Sequence, residues 1–153
     1  MKKYELLVDD TITFFGVQLF RIKALISFSG IEKGEVGGYI ASEKNLSQYG
    51  DAWVYGNARV SGNARVSGNA EVYGNARVYG DADYIVFKNT WSSGRYFTYT
   101  KSNKNWRVGC FYGSGAELVE KAYKDSKKSG DFYKAYVDFV EKLEEIENIH
   151  KEQ

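Results

Sequence analysis

The sequence predicts a mainly β protein built around a short parallel β-helix, with strands before it and strands and two helices after it. Three observations carry this prediction. A glycine recurs every sixth residue from Gly50 to Gly80. Residues before this repeat are rich in Ile, Phe, Val and Leu, which favour strands. Residues after about position 113 carry a helix-capping signal and an apolar stripe at helical spacing. We interpret residues 1–153 as a single domain.

The composition of the chain limits the classes of function that we expect of it. The formal net charge is +1, so the chain as a whole has no electrostatic attraction to nucleic acid, membranes or acidic partners. One cysteine excludes an internal disulfide and fits a reducing compartment. The first residues lack the apolar stretch of a signal peptide, and no run reaches the ~18 apolar residues of a membrane span. We therefore expect a cytoplasmic protein without membrane contact, with nucleic acid not expected as a partner.

The first segment, residues 1–43, predicts two or three strands. Gly16 separates two apolar stretches, which indicates a hairpin. The glycines of GEVGGYI predict a tight bend. We expect these strands to cover one end of the β-helix.

The second segment, residues 44–83, holds the hexapeptides. Glycine at every sixth position would break an α-helix repeatedly, and strands this short cannot pair in a meander. A parallel β-helix fits, because each hexapeptide can form one short strand and one corner. Ile40 and Leu46 fall in the alanine register upstream of the repeat. The valines are predicted to point inward and the alanines to fill the tight inner corners: Val54, Val60, Val66, Val72 and Val78, and Ala52, Ala58, Ala64, Ala70, Ala76 and Ala82.

The rest of the chain predicts strands in 84–113 and two helices in 114–150. YIVF, RYFTYT and WRVGCFY are strand-like. Ser114 and Glu117 form a capping box, Gly130 is expected to end the first helix, and the second is expected over about 131–149. That helix should either pack on the β-helix or on the strands that follow it, or pair with a second copy. Its predicted stripe is Phe132, Tyr136, Phe139, Leu143 and Ile146, widened by Tyr133, Val137 and Val140.

The V-x-G-N-A-x pattern resembles the hexapeptide repeat of left-handed β-helices, which turn once per three hexapeptides. This resemblance implies a left-handed β-helix of about two coils and raises the expectation of a homo-oligomer. IEKGEVGGYIASEKNLSQYGDAWVYGNARV and YTKSNKNWRVGCFYG resemble a family of small proteins from phages and bacterial genomes, often labelled polymer-forming or transferase-like. That resemblance implies a phage-type protein acting in the host cytoplasm, and implies no particular activity.

With three hexapeptides in each coil, residues eighteen apart stack. Arg59 then lies under Arg77, and Tyr55 under Tyr73. Such a strip is either a solvated face or a binding strip for a carboxylate, a phosphate or an acidic protein surface. The aromatic and basic residues of 91–112 are either a sheet core, a protein interface or a nucleotide site. The predicted binding residues are Trp53, Tyr55, Arg59, Tyr73, Arg77, Tyr79, Trp91, Arg95, Trp106 and Arg107.

No catalytic constellation emerges from the sequence. Related acyltransferases use a histidine base, and this chain has only His150, near its end. Cys110 is expected to be buried and inert, and no residue pattern predicts a metal site or a cofactor. We therefore expect a non-catalytic binding protein that blocks a host protein or complex, with inhibition of a defence system as its specific form. The alternatives are an oligomeric sponge for a nucleotide signal and a hexapeptide-repeat acyltransferase.

Overall fold

The computed structural model describes residues 1–151, and the chain separates into two compact units, Met1–Cys110 and Phe111–Gln153. Although the chain divides in this way, the interpretation of residues 1–153 as one domain stays a prediction. Within residues 1–151, neither α-helix combines the length and the apolar character that a membrane-spanning helix needs.

The first unit begins with the predicted hairpin. Strand β1 (Tyr4–Phe14) pairs antiparallel with β2 (Val17–Ala24), and the register shifts between Leu7 and Thr11. The two turn residues, Phe15 and Gly16, have φ of 50° and 77°. Positive φ at both positions matches the right-handed twist of the flanking strands, so the two-residue connection is short and tight.

Of the three glycines of GEVGGYI, Gly34 forms the expected bend, with a φ of 93°, whereas Gly37 and Gly38 lie inside strand β3 (Val36–Ile40). A Cβ on Gly38 would stand 2.7 Å from the Ala58 carbonyl oxygen and 2.7 Å from Val54 Cγ1. These glycines therefore permit a close approach of two backbones.

The repeat forms a β-solenoid of short parallel strands: β4 (Trp53–Val54), β5 (Arg59–Val60), β6 (Glu71–Val72) and β7 (Arg77–Val78). Val54 pairs with Val72 and Val60 with Val78, each eighteen residues apart. The parallel pairing confirms the central prediction from the six-residue period. Strand β3 pairs parallel with β5, so the hairpin continues one solenoid face as a sheet ordered β1-β2-β3-β5-β7.

Small and branched side chains fill the solenoid interior as predicted. The five repeat valines are fully buried, and so are the alanines from Ala52 to Ala76. The corner glycines from Gly50 to Gly74 have φ between 55° and 75°, a conformation that explains why glycine recurs there. Ala82 was expected to continue the series, but it is exposed because the chain leaves the solenoid in a 3-10 turn, Asp81–Asp83.

The register upstream of the repeat differs from the prediction. Ile40 pairs with Val60, and Leu46 forms a parallel bridge with Val66. Both residues therefore belong to the valine register, twenty residues before their partners, instead of the alanine register. Two extra residues between Leu46 and Val54 account for the shift. The corner that holds them receives the N-terminus, since Gln48 Oε1 accepts hydrogen bonds from the Lys3 and Tyr4 amides at 2.8 and 3.2 Å.

Strands β8 (Tyr84–Lys88), β9 (Tyr96–Thr100) and β10 (Asn105–Val108) follow as an antiparallel sheet. This part of the chain covers the last solenoid strands. The Glu71 amide donates to Thr98 Oγ1 at 3.0 Å, and the Arg77 amide donates to Ser102 Oγ at 2.8 Å. Side-chain oxygens thus satisfy edge amides that would otherwise invite another strand.

The second unit contains β11 (Phe111–Ser114), α1 (Gly115–Asp125) and α2 (Lys127–Lys151). The capping box of Ser114 and Glu117 is present at the start of α1. Gly130 does not end α1, which stops at Asp125, and instead lies buried in α2. A Cβ there would meet the Tyr123 ring at 2.1 Å, so this glycine lets the two helices approach closely.

Candidate functional site

The predicted arginine pair lies on the outer face of the solenoid. Arg59 and Arg77 precede the inward valines of β5 and β7, and they are direct partners in the parallel ladder. The Phe14 ring, at the end of β1, covers both side chains, with its centroid 4.4 Å from Arg59 Cζ and 4.8 Å from Arg77 Cζ. Tyr79 stacks on the same ring at 6.4 Å and 4°. We call Phe14, Arg59, Arg77 and Tyr79 the arginine strip.

The charges of the arginine strip have no counter-ion among residues 1–151. Within residues 1–151, neither guanidinium group donates a hydrogen bond or forms an ion pair. Neighbouring strands lie about 4.8 Å apart, so the register holds two positive side chains side by side. The Phe14 ring offsets this repulsion in part, since a cation over an aromatic face gains about 0.5–1 kcal/mol at an exposed site. In the described part of the chain, the strip therefore presents two guanidinium groups with no acidic partner.

An apolar hairpin tip continues from the arginine strip. Phe15 is 84% exposed and Val17 is 45% exposed. Turns usually carry Gly, Asn, Asp or Ser, so two phenylalanines at this turn are unusual. The sequence analysis missed Phe14, Phe15 and Val17. The run FFGV, which puts large apolar side chains at a predicted turn, is the signal that could have revealed them.

Tyr55, Glu71, Tyr73 and Arg107 form a second group, the tyrosine cluster. The two tyrosine rings lie 5.0 Å apart, as their predicted stacking requires. Arg107 Cζ is 4.2 Å from the Tyr73 ring centroid, and Arg107 Nε is 3.5 Å from Glu71 Oε2. Burial raises the pKa of Glu71, and the neighbouring Arg107 opposes that rise. Burial and the nearby Glu71 carboxylate also raise the pKa of Tyr55.

The two groups differ in what they can bind. In the tyrosine cluster, Glu71 already neutralises Arg107, and the Tyr55 hydroxyl donates to Glu71 Oε1 at 3.5 Å. The exposed Arg95 lies nearby, where its Nη1 would be 2.8 Å from a Cβ on Gly109. An external anion would have to compete with Glu71 there. The arginine strip has no such internal acceptor, and it is the stronger candidate site.

Two predicted binding residues are core residues instead. Trp53 has no exposed surface, because Tyr4 and Phe28 cover it with ring centroids 6.2 and 5.4 Å away. Trp106 is 1% exposed and packs on Tyr99 at 4.9 Å. Placing these two tryptophans on a binding surface was therefore wrong. Among the aromatic residues of 91–112, Phe97, Tyr99 and Trp106 form a sheet core. Trp91 is half-buried in the turn after β8.

The two side chains weighed for catalysis, Cys110 and His150, are both exposed. Cys110 is exposed, contrary to the prediction, because Gly109 (φ 57°) and Cys110 form a turn that interrupts the alternating stretch. His150 is exposed in the last described turn of α2. Within residues 1–151, no group of three His, Cys, Asp or Glu side chains is placed to hold a metal ion.

Comparison with known proteins supports the solenoid architecture. The model of the YdcK beta solenoid repeat matches residues 52–68, 58–72 and 70–82. These overlapping matches cover the hexapeptides and leave the flanking segments outside. No curated protein matches the chain. The repeat segment is thus similar to a known β-solenoid repeat.

Proposed function

We propose that this chain is a non-catalytic binding protein that occupies a surface of another protein through the arginine strip and the hairpin tip. The observation that carries the proposal is the pair of in-register guanidinium groups that have no acceptor within residues 1–151. Each guanidinium can grip a carboxylate with two parallel hydrogen bonds. A partner with acidic side chains would supply what the strip lacks.

The neighbouring apolar side chains favour a protein partner over a small anion. Protein interfaces concentrate their binding energy in aromatic and arginine side chains surrounded by a polar rim. Phe15, Val17 and Tyr79 expose 84%, 45% and 42% of their surface beside the arginines. A free phosphate or carboxylate ion would leave these apolar groups in water, whereas a protein surface would bury them.

The more specific forms of the proposal rest on the resemblance to phage and bacterial hexapeptide proteins. We infer a phage-type protein that blocks a host protein or complex in the host cytoplasm, with a defence system as the first target to test. We also infer a left-handed solenoid of about two coils, which the eighteen-residue register supports. The nucleotide-sponge alternative would depend on the tyrosine cluster, whose Arg107 already faces Glu71.

The test compares two variants for partner capture. The double variant Arg59→Ala/Arg77→Ala removes both charges of the strip. Arg65→Ala is the matched control, because Arg65 is an exposed arginine of the same solenoid and no part of the strip. Proteins captured from lysate by the wild type would be identified by mass spectrometry, purified and titrated against all three forms.

We expect the double variant to bind the partner at least tenfold more weakly than the wild type does. Arg65→Ala should bind it with nearly unchanged affinity. Phe15→Ser should also weaken it, because the tip would lose its apolar contact. Equal affinity in all forms would refute the assignment of the strip. A nucleotide that co-purifies with the native protein and leaves on denaturation would favour the sponge instead.

A further inference from the structure

Helix α2 has two apolar faces: one is buried, and the other is exposed at three residues and half-buried at Tyr136 and Leu143. Tyr133, Val137 and Val140 are at most 7% exposed, and α2 packs against α1. The stripe predicted from the sequence is a different set of residues. Three of its members keep large exposed fractions: Phe132 39%, Phe139 52% and Ile146 42%. The residues expected only to widen the stripe are therefore the packed face.

The exposed stripe has the spacing of a coiled-coil seam. Its members are Phe132, Tyr136, Phe139, Leu143 and Ile146, with steps of four, three, four and three residues. This alternation averages 3.5 residues, the period at which apolar side chains stay on one line between two supercoiled helices. Tyr136 and Leu143 take heptad position a, and the other three take position d.

The charges beside the seam indicate one orientation of the partner helix. Lys142 takes heptad position g and Glu147 takes position e, and both are exposed. In a parallel two-stranded coil, each g residue meets the e residue five positions later on the other helix. Lys142 of one copy would then face Glu147 of the other, twice across the two-fold axis. An antiparallel pair would place g beside g and would lose this complementarity.

We propose that α2 pairs with α2 of a second copy of this chain as a parallel coiled coil along the stripe. The proposal stands on the spacing, exposure and charge of α2 and is independent of the arginine strip. It also has a consequence for binding. A dimer carries two arginine strips, so a partner with two acidic sites would bind with an avidity that one strip cannot reach.

Light scattering on the full chain tests the association. We expect the wild type to have twice the chain mass of 17.4 kDa. Ile146→Asp should shift dissociation to at least tenfold higher concentration, because it puts charge into the seam. Tyr49→Asp is the matched control, since Tyr49 is an 83% exposed apolar side chain on the first unit. A wild type that stays monomeric at high micromolar concentration would overturn the proposal.

A charge swap and a cross-link test the parallel register. Lys142→Glu should weaken the dimer at least tenfold, and adding Glu147→Lys should restore it to within about threefold. His150 continues position a, so oxidation of a Cys110→Ser/His150→Cys variant should link the two copies. Failure of the second substitution to rescue, or the absence of a disulfide-linked dimer, would contradict the parallel arrangement.

Discussion

Lys3 provides a direct test of the structure, because it is a buried amine. Its ionisation can be detected in the pH dependence of the free energy of unfolding. Its side chain is 2% exposed. Nζ donates to the Ala52 carbonyl at 2.8 Å and to the Gly50 carbonyl at 3.3 Å, and it lies 5.1 Å from the Phe28 ring centroid. Burial lowers the pKa of Lys3 from 10.5 to about 8, and the nearby Asp51 carboxylate opposes that effect.

The lowered pKa predicts that the protein becomes more stable as the pH rises. Below about pH 8 the amine is charged in both states, and burying the charge costs the folded state about 3 kcal/mol. Between about pH 8 and pH 10.5 the folded protein releases the proton while the unfolded chain keeps it. The free energy of unfolding should therefore increase by about 2 kcal/mol from about pH 7.5 to about pH 9.5. The neutral amine can still donate to both carbonyls.

Urea denaturation at several pH values measures this slope, and Lys3→Met should remove it. Lys2→Met is the control, because the Lys2 side chain is 60% exposed. The measurements should stop near pH 9.5. Burial raises the pKa of Tyr4 and of Tyr55 above 10, so these residues lower the stability once the unfolded tyrosines ionise. A wild type with no slope, or a slope that survives in Lys3→Met, would refute the reasoning.

Three further predictions concern the folding of each part. Val66→Ala should lower the free energy of unfolding by about 2–3 kcal/mol in urea denaturation, whereas Val8→Ala, at a 73% exposed site, should change it by less than about 0.5 kcal/mol. Gly38→Ala should cost about 1–3 kcal/mol, because its Cβ meets backbone oxygen that cannot move aside, and an unchanged melting temperature would contradict the close approach. Ser114→Ala should lower the free energy of unfolding by about 1 kcal/mol, because the Glu117 amide at the start of α1 loses its acceptor. Unfolding followed by circular dichroism at 222 nm can measure this loss.

The solenoid interior could be predicted because its information is local and repeated. A six-residue period of valine and alanine admits one regular structure, and the eighteen-residue stacking of Arg59 on Arg77 follows from three hexapeptides per coil. The capping box at Ser114 was predictable for the same reason, since its two residues are three apart in the chain.

The errors fall where distant segments meet. Trp53 faces outward from the repeat, but Tyr4 and Phe28 cover it, and no period in residues 44–83 contains those partners. The two extra residues after Leu46 lie in the corner where the Lys3 amide donates to Gln48, a contact between segments far apart in the chain. Gly130 was interpreted from its type as a helix end, whereas its contact with Tyr123 belongs to the packing of two helices.

Only the part of the candidate site that lies within the repeat could be predicted from the sequence. The pairing of Arg59 with Arg77 follows from the three hexapeptides per coil that the resemblance to left-handed β-helices implies. The Phe14 ring that lies over both comes from a hairpin more than forty residues away. In the binding role that we propose for the strip, that ring would hold the two guanidinium groups in place before any partner arrives. Ordering long side chains costs about 0.5–1.5 kcal/mol each on association, and here the fold has already met much of that cost. Phe14→Ala should therefore lower the affinity for the partner even though it leaves both charges in place. The loss should appear mainly as faster dissociation of the complex.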